Sequence, residues 1–384
     1  MGESGDDGPG RTAGTRSPLP ANHGPEPALG PPSTEGGLGS APRSPGPLRW
    51  SLFTVGDNLT GTRRRGRRPA EILQYVEEAD RLGYWAFFFA EHHFDPHGEV
   101  PDPWLLVAAA AERTRHGRLR LGPMVTNLAF RHPIQVAEQA LLANALSGDR
   151  VEVGVGSGNI LQEHVAFGLH PDPNARKRAA FEAAVPTFLR VLAGQDVTVP
   201  GLPAGQVRVE VGPPVLPESR VWFAVSNAEA AVRFASQGHS VALGPPFATM
   251  PDLSHLEAMV RQIRAGVGPA VAPRIAAAFP AYAGPHRNVA LSALDEFIDV
   301  KNRDGTAHLP TGSRNPARPA TAADLVQRGL ALIGSPDEVA RQVALVAATG
   351  ITDLFAMPDF GALPPELVVP SLRALAGLAH LGES

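Results

Sequence analysis

The chain has 384 residues, 43% of them hydrophobic, with a net charge of −4 and no cysteine. This is enough apolar material for one large or two ordinary domains, and the lack of cysteine excludes disulfides, thiol catalysis and thiolate metal sites. The charge balance gives no support to nucleic-acid binding, no apolar run is long enough to span a bilayer, and no basic-then-apolar leader is present, so a cytoplasmic protein without a membrane partner is expected.

Residues 1–47 are rich in Gly, Pro, Ser and Ala, with almost no large apolar side chains. Such a segment cannot bury enough surface to offset its chain entropy and is expected to be disordered, leaving one domain over 48–384. Residues 48–55 read as the first strand. The arginines at 63–65, 67 and 68 follow it, read as a solvated basic loop, with an anion-attracting lip as the sharper alternative. The spacing predicts a helix over 69–82, with Pro69 suited to its first turn and Gly83 to its end. Residues 84–90, Tyr-Trp-Ala-Phe-Phe-Phe-Ala, form a short unbroken apolar run. A strand buried on both faces reads this way. It stops abruptly at Glu91-His92-His93-Phe94.

Helix is expected over 103–115, 133–147 and 174–192, and strand over 118–126 and 150–155. The stretch 193–219 reads as a hairpin or extended excursion. Strands follow at 220–225, 240–243 and 272–282, with helices at 227–237, 253–265 and 286–302. Residues 303–319 are polar and irregular. Helices at 322–333 and 336–349, a strand at 352–357 and a helix at 365–378 close the chain. Ser335 is the expected cap of the 336–349 helix, with Pro336 at its first position and Asp337-Glu338 in its first turn. Lys177 and Lys301 are the only lysines, and neither lies in an apolar sequence setting that would depress an amine pKa.

Eight strands alternating with helices predict a (β/α)8 TIM barrel with loop insertions. An open doubly wound sheet ranks second, because the one Gly-rich turn, Gly154 to Gly158, follows the fourth strand with the wrong spacing for a dinucleotide fingerprint. In a barrel the C-terminal strand ends share one face. That gathers His92 and His93, then Met124, Val125, Thr126 and Asn127, then Gly156, Ser157, Gly158 and Asn159, then Ser226 and Asn227. An imidazole pair, small residues that admit a flat ligand and a capped helix start suit a phosphorylated aromatic cofactor beside a general base. His92, His93 and His97 do not have the spacing of a helical zinc motif, so no metal is expected. Phe53, Phe88 and Phe94 are candidates for the substrate side or for the core.

The segments at 78–94, 120–133, 146–159 and 333–340, in that order and spacing, resemble the bacterial luciferase-like flavin-dependent monooxygenase family. The resemblance runs from about Leu48 to Leu378. It implies a TIM barrel, dimeric, acting on a small-molecule substrate. It implies reduced FMN supplied by a flavin reductase, with O2 activation and oxygenation of a small organic compound. One branch uses the deazaflavin F420 and moves hydride without O2, and some relatives bind flavin without turnover. The resemblance gives His92 the role of acid/base near the flavin. It also places a non-proline cis peptide between Met124 and Val125, against the flavin ring. Two positions depart from the pattern: Ser157 stands where an arginine often helps hold the cofactor phosphate, and Glu229 where a hydroxyl residue is usual.

Overall fold

The computed structural model describes residues 48–57, 66–94, 98–169, 173–198, 205–208, 216–303, 321–361 and 363–379. The 1–47 segment, Arg63 to Arg65, His97 and the irregular stretch at 304–319 lie outside them.

The strands in chain order are β1 (Arg49–Thr54), β2 (Ala86–Phe89), β3 (Arg120–Pro123), β4 (Thr126–Asn127), β5 (Val153–Gly156), β6 (Val197–Thr198), β7 (Gln206–Val207), β8 (Val221–Val225), β9 (Ser240–Leu243), β10 (Ile275–Ala283), β11 (Leu332–Gly334) and β12 (Asp353–Met357). Their order in the main sheet is β3-β2-β1-β12-β10-β9-β8-β5-β4. Every pairing along it is parallel. β3 and β4 are two halves of one stave, interrupted at Met124-Val125, so the sheet has eight staves. It closes where Leu121 bridges Val151, with Leu121 N–H donating to the Arg150 carbonyl and Glu152 N–H to that of Leu121, each at 3.0 Å. Closure needs glycine at the seam. A Cβ on Gly122 would stand 1.7 Å from the Glu152 carbonyl oxygen, and one on Gly154 would stand 2.5 Å from that of Pro123.

Alternation along the staves fills the interior. Phe88, Trp222 and Phe355 pack together there, Phe88 and Phe355 with centroids 4.8 Å apart and Trp222 and Phe355 5.4 Å. Beneath them, Glu152 accepts from Trp222 Nε1 at 2.7 Å and from Arg120 and Arg274 at 3.2 Å each, and Arg274 also reaches Asp353 at 2.9 Å. This ionic layer plugs the N-terminal end of the barrel and leaves the C-terminal end as the open one.

The expected helices form for the expected reasons. α1 (Arg68–Leu82) ends at Gly83 with φ 80°, and the Pro336–Ala348 helix begins with a capping box between Ser335 and Glu338. Val197–Thr198 and Gln206–Val207 pair antiparallel, giving the expected hairpin.

Two expectations are corrected. The helix read over 322–333 stops at Gln327, and Leu332–Gly334 pairs parallel with the outer end of β10. Leu330 to Ile333 are fully buried, and strand addition satisfies both their burial and their backbone. Arg68 is not in a solvated loop. It opens α1, is fully buried, and holds Asp359 at 2.5 Å and Glu71 at 3.1 Å.

Candidate active site

The open end is floored by small residues. Gly156 at the end of β5, Ala224 on β8 and Val125 converge: a Cβ on Gly156 would meet Val125 Cγ2 at 2.9 Å and Ala224 Cβ at 3.6 Å. Ala224 is exposed although its neighbours Phe223 and Val225 on the strand are buried. The Met124–Val125 peptide is cis, where the resemblance placed it. A flat ring can approach this backbone closely, so the cradle fits the isoalloxazine of a flavin.

β2 delivers the titratable groups, and adjacent residues go to different places. The main-chain N–H of His92 donates to the Val100 carbonyl at 3.0 Å. Gly98 packs against its side chain so closely that a Cβ there would stand 2.6 Å from His92 Cβ and 3.2 Å from the Val55 carbonyl oxygen. His92 is half-buried at the rim of the open end, beside β1.

The Glu91 side chain is almost wholly buried, 1% exposed, and it collects four donors. Oε1 takes Arg131 Nε at 2.9 Å and lies 3.0 Å from His93 Nε2. Oε2 takes Thr126 Oγ1 at 3.0 Å and the Asn127 N–H at 3.3 Å. Arg131 in turn donates to the Pro101 carbonyl at 3.3 Å. One carboxylate therefore ties the end of β2 to β4 and to the loop that covers His92.

His93 stands in this network. Its N–H donates to Glu163 Oε1 at 2.6 Å, and its ring lies edge-on to Phe130 and Phe167. It lines a cavity of about 830 Å³ outside the barrel mouth, with Phe130, Arg131, Gln135, Leu142 and Phe167. Phe88 is core and Phe53 is buried beside it in register, whereas Phe94 is 64% exposed.

Of the β4 residues, Thr126 and Asn127 are buried, and Asn127 Oδ1 accepts from the Ala129 N–H at 3.0 Å. After β5, Ser157 and Gly158 are half-buried and Asn159 is exposed. Gly158 has φ 67° and is gripped from below, a Cβ there falling 2.1 Å from Asn127 Nδ2 and 3.1 Å from His164 Cε1. Lys177 Nζ donates to the Gly158 carbonyl at 3.1 Å. Burial holds its ammonium below the ordinary lysine pKa, with Arg178 adding to the effect, which corrects the expectation that no lysine is so placed. His164, 1% exposed, is also held below the ordinary imidazole range, first by burial and then by Lys177. Across the mouth Ser226 is exposed, and the Asn227 side chain is engaged as the cap of the Ala228–Ala235 helix, accepting from the Ala230 N–H at 2.9 Å.

Sequence reasoning gives Glu91 no role, sets Lys177 aside, and does not single out Gly98, Arg131 or His164. The signal for Glu91 was a carboxylate closing an otherwise apolar strand. Gly98 and His164 carry no sequence motif, because their contacts with His92 and with Gly158 depend on how the intervening loops fold. Among the described residues no group of three or more His, Asp or Glu side chains could hold a metal ion, and no helix is long and apolar enough to cross a membrane.

Comparison with known proteins agrees with this geometry. Limonene 1,2-monooxygenase of Rhodococcus erythropolis is 37% identical over 126 residues, 33% of this chain and 31% of that one. The chain spans about half or less of the length of the curated relatives it matches. Two solved structures share the fold. The monooxygenase RslO1 of Streptomyces bottropensis aligns with a TM-score of 0.72 at 24% identity, covering 87% of this chain and 100% of that one. The oxygenating constituent of 3,6-diketocamphane monooxygenase of Pseudomonas putida, solved with FMN, aligns with a TM-score of 0.69 at 16% identity, covering 87% and 98%. Enzymes named as F420-dependent are also among the matches. The family model described as luciferase-like monooxygenase matches residues 48–353, and the chain belongs to that family.

Proposed function

We propose that this protein is a flavin-dependent monooxygenase that uses reduced FMN and O2 to oxygenate a small organic substrate. The observation that carries the reading is the cradle of Val125, Gly156 and Ala224 at the same open end of the barrel as His92. The cofactor, when bound, supplies the oxygen activation. The chain's residues do the rest. Val125, Gly156 and Ala224 seat the ring, with Met124 behind them. Thr126, Asn127 and the residues from Ser157 to Asn159 shape its surround, and Ser226 and Asn227 face it from the start of the next helix. His92 holds or releases a proton at its imidazole, close to the reacting atoms. Glu91 and Arg131 keep its loop in place, and His93 serves through that same network. A separate reductase in the cytoplasm supplies the reduced flavin, as the name of a related oxygenase component implies for its own system. Leu105, Leu142 and Leu146 are exposed apolar residues on the Pro103–Arg113 and Pro133–Ser147 helices, and we assign that face to a homodimer.

The F420-dependent matches support a second reading, hydride transfer without O2 on the same cradle. Anaerobic titration with reduced FMN, and separately with F420, separates the two. Tight binding of reduced FMN followed by O2-dependent oxygenation is the expected result. Binding of F420 alone would replace the proposal with the second reading. His92→Ala is expected to abolish oxygenation while leaving flavin affinity and thermal stability nearly unchanged, and equal turnover would remove His92 from catalysis.

A further inference from the structure

The loop that follows β5 carries only small and neutral side chains, Gly156-Ser157-Gly158-Asn159. Yet the structure brings one cation to it from a distance. Lys177, on the Pro173–Leu192 helix, crosses back to set its ammonium 3.1 Å from the Gly158 carbonyl oxygen. That carbonyl satisfies one of three ammonium donors and none of its charge. Among the described residues no carboxylate is paired with Lys177; the charged neighbour is Arg178, which repels it. Beneath the same glycine lies His164, which makes no well-formed ring hydrogen bond among the described residues and feels the Gly158 backbone.

A half-buried ammonium without a counter-charge, beside a second potential cation, is unfavourable in isolation. Position 177 has an alternative that would cost less. A glutamine at 177 could reach a carbonyl without the charge. The arrangement makes physical sense when a dianion occupies the space above Ser157 and Gly158. Its oxygens would take the remaining Lys177 donors, the Ser157 hydroxyl and loop N–H groups.

We infer that Lys177 holds the phosphate of the bound flavin at the Gly156 to Asn159 loop, so that the charge for that anion comes from the helix and not from the loop itself. This rests on the flavin reading above. It explains how a loop with Ser157 at its centre can hold a phosphorylated cofactor. The lysine is preset by the Gly158 carbonyl, at the edge of the cradle that seats the ring.

The test compares two ligands that differ only in the phosphate, FMN and riboflavin. Dissociation constants are measured by flavin fluorescence quenching for the full-length wild type, Lys177→Gln and Lys177→Arg. One charge-assisted contact to a phosphate corresponds to a loss of roughly ten- to hundredfold in affinity. Lys177→Gln should therefore weaken FMN by that factor and leave riboflavin unchanged. Lys177→Arg should restore most of the FMN affinity. In the wild type, FMN affinity should fall with added salt while riboflavin affinity should not. Equal weakening of both ligands by Lys177→Gln would mean that the lysine only supports the fold, and unchanged FMN affinity would place the phosphate elsewhere. Either result overturns the assignment and leaves the flavin reading standing. A wild type that binds neither ligand would overturn the flavin reading and this assignment with it.

Discussion

Gly98→Ala is the smallest change that should separate the chemistry from the fold. The added methyl carbon would stand 2.6 Å from His92 Cβ and 3.0 Å from its Cγ. Relaxed carbon contacts lie at about 3.5 Å or more, so roughly one ångström must be found. The methyl cannot simply retreat, because the Val55 carbonyl oxygen is 3.2 Å away on its other side. The His92 N–H to Val100 bond at 3.0 Å holds the two main-chain segments of this contact together, so the displacement falls on the His92 side chain. A displacement of about 1 Å at a group that must meet a reacting atom costs on the order of a hundredfold in rate. Overpacking of one methyl costs about 1–3 kcal/mol, which leaves a domain of this size folded. The assay is turnover on the first small organic compound that the wild type oxygenates in an oxygen-electrode screen, with flavin affinity measured alongside. The expected result is a roughly hundredfold fall in turnover with FMN affinity nearly unchanged. The double variant Gly98→Ala, His92→Ala should be no worse than His92→Ala alone, because the first change acts through the second residue. Additive losses, or wild-type turnover in Gly98→Ala, would refute the placement of His92 as the group that this glycine makes room for.

Three other outcomes are expected. Glu91→Ala removes the acceptor of four donors and leaves Arg131 without its buried partner. Breaking such a pair costs about 3 kcal/mol here, the lower end of the usual range, since Arg131 keeps the Pro101 carbonyl and the Asp102 carboxylate; a shifted urea midpoint with an unchanged slope would show it, and a shift under about 1 kcal/mol would refute the hub. His164 and His239 are both held below the ordinary imidazole pKa by burial. The unfolded chain takes up those protons near pH 6.5 while the native state resists, so stability is complete above that pH and falls as pH drops below it; His164→Gln should flatten the fall in melting temperature between about pH 7 and 5.5, and an unaltered slope would contradict the burial of a neutral ring. Leu142→Glu, at a position 52% exposed on the Pro133–Ser147 helix, should convert a dimer to a monomer by light scattering without loss of helicity, and an unchanged mass would free that face from the interface.

The barrel was legible because its signals are local. Each stave is a short apolar run, each long helix carries its own cap or stop, and the alternation of the two leaves few topologies. The failures fall where the deciding partner is far along the chain. Leu332–Gly334 looks helical beside residues 322–327 and becomes strand only because the end of β10 is unpaired next to it. Arg68 looks like one more arginine in a basic loop, and is buried because Asp359, 291 residues away, waits for it. Lys177 lies in an unremarkable polar stretch, and only the return of its helix over the β5 loop brings burial to its ammonium.

The histidine pair shows where stricter use of the sequence would have gone further. Successive residues of a strand face opposite sides. Phe88 points into the barrel, where it meets Trp222 and Phe355. Carrying that alternation two and four places on puts Ala90 and His92 on the interior side, and Phe89, Glu91 and His93 on the outer one. The structure follows this count: Glu91 and His93 join each other at 3.0 Å, away from the mouth, while His92 stands by Val55 and Gly98. The two adjacent imidazoles therefore point to different surroundings, His92 to Gly98 and Val55 and His93 to Glu91. On the proposed reading His92 is the catalytic imidazole and His93 its neighbour in the supporting network. The separation is measurable, because His93→Gln should lower stability through the Glu91 network while leaving the pH dependence of turnover in place, and His92→Gln should do the reverse.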